Sequence, residues 1–446
     1  MKTFGKKEIV TGLFIAATVF AAEAKDLDVK CRVELNRNVV FADKVQKVIV
    51  KVGLVAPRAP RVDERPPVNL TIVLDRSGSM SGKKIQKAKE AAIAALRRLS
   101  PKDIFSLVTY DTNIKTVVPA QSAANLEWIE SQIRSISTGG NTALFGGVSQ
   151  GASEIRKHLN EKYIHRIILL SDGLANSGPS SPEELGRLGR ALSKEGISVT
   201  TMGIGTDYNE DLMAELAQRS DGNTYFVESS ADLPRIFSAE LGDVLSVVAS
   251  KVKLKVTFPA GVRPLRIIGR DGRIGNQLVE ISLNQLYGGQ EKYVLVEVSL
   301  PAGAEGDLRK VASASCNYQN MILNQPAIAQ GNVQIRYTKK EALVNSGVNA
   351  KVEIEVVRNN IAERNIQAMQ AADKQDFNGA AMQMTRNAQV LSQYAKKYNN
   401  PALKKEADEL KEKAINLQQR QSFSKSDRKK LKTRSYETFN QQKSGK

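Results

Sequence analysis

The stretch VNLTIVLDRSGS, residues 68–79, decides how the chain is read. Five of its first eight residues are apolar, and they close in the run Ile72-Val73-Leu74 before stopping at Asp75. A short run of that kind is buried on both faces, which is the mark of a parallel strand covered by helices. A polar, glycine-containing loop follows at once. Beyond it, Ile85, Ala88, Ala92, Leu96 and Leu99 fall on one face of a helix over residues 83–99. The loop therefore lies at the carboxyl edge of a strand, where doubly wound sheets bind ligands.

Working outward, the alternation continues. Strands are predicted over 103–110, 166–170, 198–203 and 224–227. Helices are predicted over 126–136, 144–159, 182–195, 210–218 and 231–245, with Ser181 and Pro182 opening one of them. Strands alternating with helices give an α/β unit with a mostly parallel, doubly wound sheet. On both sides of it the apolar period changes to two. Residues 27–35 and 45–54 read as strands before it. Residues 252–258, 278–283, 292–300, 310–318 and 333–337 read as strands after it. Two strands make no stable sheet alone. The early pair is therefore expected to join the later set, with the α/β unit inserted into an all-β sandwich. From Val352 the chain turns helical, with helices over 361–376, 380–398 and 403–418 forming a hairpin or small bundle.

The resulting partition has a signal peptide over 1–24 and the first sandwich strands over 25–66. The α/β domain spans 67–245, the rest of the sandwich 246–338, and a helical region 339–420. Residues 421–446 lack an apolar period and carry a net charge of +6, so they read as a basic disordered tail. The signal peptide rests on Lys2, Lys6 and Lys7, the apolar run from Ile9 to Phe20, and Ala22-Glu23-Ala24 as cleavage pattern. The apolar run is shorter than the roughly 20 residues of a spanning helix. The mature chain is thus expected to be exported, to a bacterial periplasm or cell surface.

Composition narrows the function classes. The chain has 446 residues, 41% hydrophobic and 25% charged, which fits two or three soluble domains and excludes a polytopic membrane protein. Two His and two Cys exclude a His-rich or thiolate metal site and a disulfide-dense scaffold. Cys31 and Cys316 both sit in alternating strands. In an oxidising compartment they are candidates for a bridge, with two buried free thiols as the alternative. The excess of 65 Lys and Arg over 47 Asp and Glu, +18 overall, concerns partners rather than fold.

Three segments offer oxygen ligands at equivalent edges of the sheet. They are Asp75-Arg76-Ser77-Gly78-Ser79, Gly139-Gly140-Asn141-Thr142, and Ser171-Asp172-Gly173. Oxygen donors suit a hard cation such as Mg2+. At this point residues 67–245 resemble the von Willebrand factor A domain. That family carries a metal-ion-dependent adhesion site of Asp-x-Ser-x-Ser with a distant Thr and Asp. The resemblance places these at Asp75, Ser77, Ser79, Thr142 and Asp172, with none missing. It implies that the serine hydroxyls hold the metal directly, that Thr142 binds directly or through water, and that both carboxylates act largely through water. An acidic residue of a partner protein would complete the coordination, with Mn2+ or Ca2+ as alternative ions. The overall layout also resembles bacterial exported proteins described as homologues of calcium-activated chloride channels.

The expected function is accordingly non-enzymatic, metal-bridged protein binding. The alternative is a cell-envelope scaffold that binds anionic surfaces through the helices and basic tail, with a structural metal site. An accessory subunit of a metal-chelatase or ATPase is set against by the signal segment. Gly147-Val148-Ser149-Gln150-Gly151 matches a hydrolase elbow, but Ser149 falls inside a helix rather than at a strand-to-helix turn. No base-reading module appears, so nucleic acid is not an expected partner.

Overall fold

The computed structural model describes residues 27–59 and 64–442; the signal segment expected over 1–24 lies outside the described residues. The chain opens with β1 (Lys30–Leu35), β2 (Val39–Phe41) and β3 (Gln46–Val55). It then enters an α/β domain with β4 (Val68–Asp75), β5 (Ile104–Tyr110), β6 (Ile114–Ser122), β7 (Ile164–Ser171), β8 (Ile197–Ile204) and β9 (Thr224–Val227). The sheet order is β6-β5-β4-β7-β8-β9, parallel throughout except for the edge strand β6. The helices are α1 (Lys83–Leu96), α2 (Leu126–Arg134), α3 (Leu144–Arg156), α4 (Pro182–Lys194), α5 (Glu210–Arg219) and α6 (Leu233–Leu245).

Every residue of β4 is buried. Leu70, Ile72 and Leu74 pack toward α1 and α6 on one face, and Val73 packs toward α3 on the other. The unbroken burial of this strand, with polar Asn69 and Thr71 included, thus reports helices on both sides. Helix α4 begins in the capping box that Ser181 and Pro182 signal, with Glu184 answering Ser181. Helix α3 contains Ser149 in its interior, away from any strand-to-helix turn.

After α6 come β10 (Val247–Thr257), β11 (Arg263–Ile268), β12 (Arg273–Ile274), β13 (Leu278–Tyr287), β14 (Glu291–Leu300), β15 (Leu308–Asn320) and β16 (Gln325–Thr338). They form two sheets, β1-β3-β14-β11 and β12-β13-β10-β15-β16-β2. The early strands are built into these sheets. β3 pairs with β14 in a register that sets Val48 opposite Val298 and Val52 opposite Val294, and β2 pairs with β16. Their inward faces share one apolar cluster. The α/β domain is therefore an insertion between β3 and β10.

Cys31 on β1 and Cys316 on β15 contribute to that same cluster from facing sheets, as free thiols. Burial pushes Cys31 up to about 11 and Cys316 up to about 12. The two strands run close: the Val29 amide donates to the Tyr318 hydroxyl at 3.0 Å. Glycine at 331 lets the neighbouring strand β16 come equally close to β1, since a Cβ there would stand 2.7 Å from the Cys31 carbonyl oxygen.

A buried polar seam joins the inserted domain to the sandwich. Arg166 on β7 is wholly buried and donates to Thr200 Oγ1 (3.1 Å), Gln285 Oε1 (2.5 Å) and the Tyr287 hydroxyl (2.7 Å). Glu240 of α6, also wholly buried, lies 3.6 Å from the guanidinium. It accepts from Thr200 (2.5 Å), Asn223 (2.8 Å) and Tyr225 (2.9 Å).

The C-terminal region holds α7 (Glu341–Ser346), α8 (Ala350–Asp373), α9 (Phe377–Lys397), α10 (Pro401–Arg420) and α11 (Lys425–Asn440). The disordered tail expected over 421–446 is corrected by α11 over 425–440, while residues 443–446 lie outside the described residues. Leu431, Tyr436 and Phe439 are buried, and so are Lys429 and Lys432. Lysine stems cover apolar surface while their ammonium groups reach carboxylates, which hides the apolar period from the sequence. Lys425 pairs with Asp207 (2.7 Å), Lys430 with Glu228 (2.8 Å) and Lys432 with Asp211 (2.6 Å). Arg428 reaches Asp211 and Asp373 (both 2.8 Å), and Lys429 reaches Glu210. Much of the positive charge expected to meet an anionic surface is thus neutralised within the chain. Among the described residues no helix is long and apolar enough to cross a membrane.

Candidate metal centre

The five expected groups meet at the carboxyl edge of β4 and β7. The Asp75 side chain is wholly buried and doubly held. Its Oδ1 accepts from the Ser77 amide at 2.8 Å, and its Oδ2 from the Ser171 hydroxyl at 2.7 Å. Asp172 is also wholly buried and accepts from the Ser79 hydroxyl at 2.7 Å. The Ser77 and Ser79 hydroxyls lie 3.1 Å apart. Burial pushes the Asp75 carboxyl above its ordinary range; the hydrogen bonds from Ser77 and Ser171 oppose the rise, and the charge of Asp172 adds to it.

Thr142 arrives on a separate loop fixed from both sides. Its amide donates to Asn176 Oδ1 at 2.8 Å, and the Asn176 amide returns a bond to the Thr142 carbonyl at 3.2 Å. The Gly139 amide donates to the Arg76 carbonyl (2.8 Å) and the Gly78 amide to the Gly140 carbonyl (3.2 Å), lacing this loop to the first one. Arg76 itself turns aside to Asp111 at 2.6 Å.

Glycine at 173 leaves a cradle between the loops. A Cβ there would stand 3.4 Å from Thr142 Oγ1 and 3.5 Å from Ser79 Oγ. The space over Gly173 is thus bordered by hydroxyls and backed by two carboxylates, a donor set that fits a hard divalent cation. Among the described residues no group of three or more His, Cys, Asp or Glu side chains could hold a metal. The candidate site is of another composition, with three neutral hydroxyls and two carboxylates.

Two neighbours escaped sequence reasoning. Ser171, within the quoted Ser171-Asp172-Gly173 run, orients Asp75. Lys84 pairs its ammonium with Asp172. A signal for Lys84 was present. Helix α1 opens on Lys83 and Lys84, with no acid in its first turn and no side-chain cap at Gly82, which places cations at the positive end of the helix dipole.

A doubly wound sheet with this loop constellation at its carboxyl edge defines the von Willebrand factor A class. Residues 69–239 match the von Willebrand factor type A domain. A curated relative is the "Uncharacterized protein YfbK" of Escherichia coli, 27% identical over 51% of this chain. The chain spans only 40% of that relative's length. The fold resembles a von Willebrand factor type A protein from Catenulispora acidiphila, with TM-score 0.69 and 18% identity, covering 84% of this chain and 89% of that one. It also resembles the ArnB paralog VWA2 from Sulfolobus acidocaldarius, with TM-score 0.64 and 18% identity, covering 92% and 98%. Domains of this class are generally non-catalytic adhesion or scaffold modules.

Proposed function

We propose that the chain binds a partner protein through a divalent cation, Mg2+ before Mn2+ or Ca2+, held by Ser77, Ser79 and Thr142 with Asp75 and Asp172 behind them. The observation that carries this reading is the hydroxyl-bordered cradle over Gly173 backed by two buried carboxylates. When bound there, the ion supplies a positive charge that neutral hydroxyls leave largely uncompensated, so a partner's carboxylate gains by joining its coordination. The chain's own contribution is to pre-position the donors. Ser171 and the Ser77 amide fix Asp75, and Asn176 fixes the Thr142 loop. We read the amino-terminal pattern as export, with residues 1–24 removed, to the periplasm or cell surface of a bacterium. In that oxidising setting Cys31 and Cys316 would pair across the sandwich, a reading supported by their shared core cluster and the close approach of β1 to β15.

Thermal denaturation of the mature chain with and without Mg2+, beside Asp75→Ala, tests the metal reading. An ion that binds only the folded chain stabilises it by about 2.7 kcal/mol at a hundredfold excess over its dissociation constant. A Mg2+-dependent rise in Tm absent from Asp75→Ala is expected. Identical, metal-insensitive curves for both proteins refute the reading.

A further inference from the structure

The loop that offers the metal donors leads directly into α1, whose first turn breaks the usual charge rule. Lys83 and Lys84 stand at the amino end of a helix, with no acid in the first turn and no side-chain cap. Cations there oppose the helix dipole. Local rules of this kind are broken where function compensates. For Lys84 the compensation is visible. Its ammonium pairs with Asp172 Oδ2, while the Ser79 hydroxyl donates to Oδ1 of the same carboxylate at 2.7 Å. The Asp172 side chain is wholly buried, whereas that of Lys84 is about a third exposed, at 32%. A cation on a flexible stem thus reaches in from solvent to one of the two carboxylates that back the cradle.

We propose that Lys84 is a tethered competitor of the divalent ion. It neutralises Asp172 while the site lacks metal, and it must withdraw for the metal to gain the full charge of that carboxylate. Without it, Asp75 and Asp172 would stand as two buried like charges facing one cradle, which is costly. With it, the empty constellation keeps its shape, and the metal gains only the difference between its own attraction and that of the ammonium. Withdrawal is sterically open. Gly205 faces the Lys84 stem, and even a Cβ built there would stand 4.0 Å from Cε and Nζ. No comparable brake acts on Asp75, whose two oxygens are held by Ser77 and Ser171, both neutral donors.

This inference rests on the metal reading above, and the test separates the two. Mg2+ is titrated by calorimetry into the mature wild-type chain, Lys84→Met, Lys84→Arg and Asp75→Ala, and each is melted without metal. Lys84→Met keeps the aliphatic stem and loses only the charge. It is expected to bind Mg2+ about tenfold more tightly than wild type, while Lys84→Arg stays near wild type. Without metal, Lys84→Met is expected to melt below wild type, and at saturating Mg2+ the two should coincide. Equal affinity of Lys84→Met and wild type, with Asp75→Ala not binding, overturns the competitor role and leaves the metal site standing. No binding by any of the four overturns both.

Discussion

Replacing Arg166 by methionine should cost the chain about 3 kcal/mol, toward the lower end of the range for breaking a buried ion pair. The magnitude follows from what is left behind. The guanidinium is wholly buried and satisfies Gln285 and Tyr287 of β13 from within the α/β domain. Methionine fills much of the volume but orphans those acceptors and removes the positive charge 3.6 Å from Glu240. Glu240 keeps three neutral donors, Thr200, Asn223 and Tyr225, which holds the loss below the cost of an unsolvated carboxylate. Glu240→Gln removes the other charge. The double variant should therefore be more stable than the sum of the single losses predicts, by at least about 1 kcal/mol, because neither charge is then left alone. Urea denaturation followed by far-ultraviolet circular dichroism gives all four corners of the cycle. Single losses under about 1 kcal/mol, or losses that simply add, would refute the view that this pair is one electrostatic unit clamping the inserted domain to the sandwich.

Three further outcomes are expected. Burial lowers the His165 imidazole to about 4, so the folded chain holds it neutral where the unfolded chain would protonate it. Its stabilising contribution is complete above pH 6.5 and is lost as the pH falls toward about 4, by up to about 3 kcal/mol; denaturation of wild type and His165→Gln across that window should show the shallower slope in the variant. A methyl at Gly222 would overlap the backbone carbonyl of Val199 on β8, which cannot rotate away. Gly222→Ala should therefore cost about 2–3 kcal/mol by urea denaturation, and a neutral result would mean that the α5–β9 turn is looser than described. Cys31 and Cys316 in the reduced chain should alkylate at pH 8 at least about a hundredfold more slowly when folded than in urea, because burial disfavours their thiolates. Protein recovered from an oxidising compartment should yield no free thiol after unfolding, and two free thiols there would refute the bridge.

What the sequence disclosed followed how locally each signal is written. The buried run of β4 needs helices on both faces, and the capping box at Ser181 needs nothing beyond four residues. Asp75, Ser77, Ser79 and Asp172 were legible because they sit at strand-to-loop boundaries that the apolar pattern marks, whereas Thr142, in the loop between α2 and α3, came with the family resemblance. Strand β6 was missed. It is an antiparallel edge, half-exposed and interrupted by Pro119, so little alternation survives in it. The sequence turns helical at Val352 but bounds its first helix only from 361, eleven residues into α8, because the helix packs on unlike neighbours in turn. Lys51 of the sandwich meets Glu355 and Tyr293 meets Asn359, so polar residues stand on its buried face. Helix α11 failed for a related reason: many of its partners, Asp207, Glu210, Asp211 and Glu228, are carboxylates more than 200 residues earlier in the chain, and no window along the sequence contains them.

The chain passes from the sandwich to the α/β domain and back at a single turn. The Ala56 amide donates to the Gln290 carbonyl (2.9 Å), Gly289 to Pro57 (2.8 Å), and Gly288 to Ser246 (2.8 Å). Both ends of the inserted domain are therefore moored to the β13–β14 hairpin, while its candidate binding face lies at the carboxyl ends of β4 and β7. Tension applied at that face divides between two covalent tethers instead of running through one. Should the domain yield under such a load, it pays out as a closed loop and reaches at most half the distance of a singly tethered chain of equal length. The sandwich stays continuous throughout, so a strained contact could lengthen and re-form without the molecule being pulled apart.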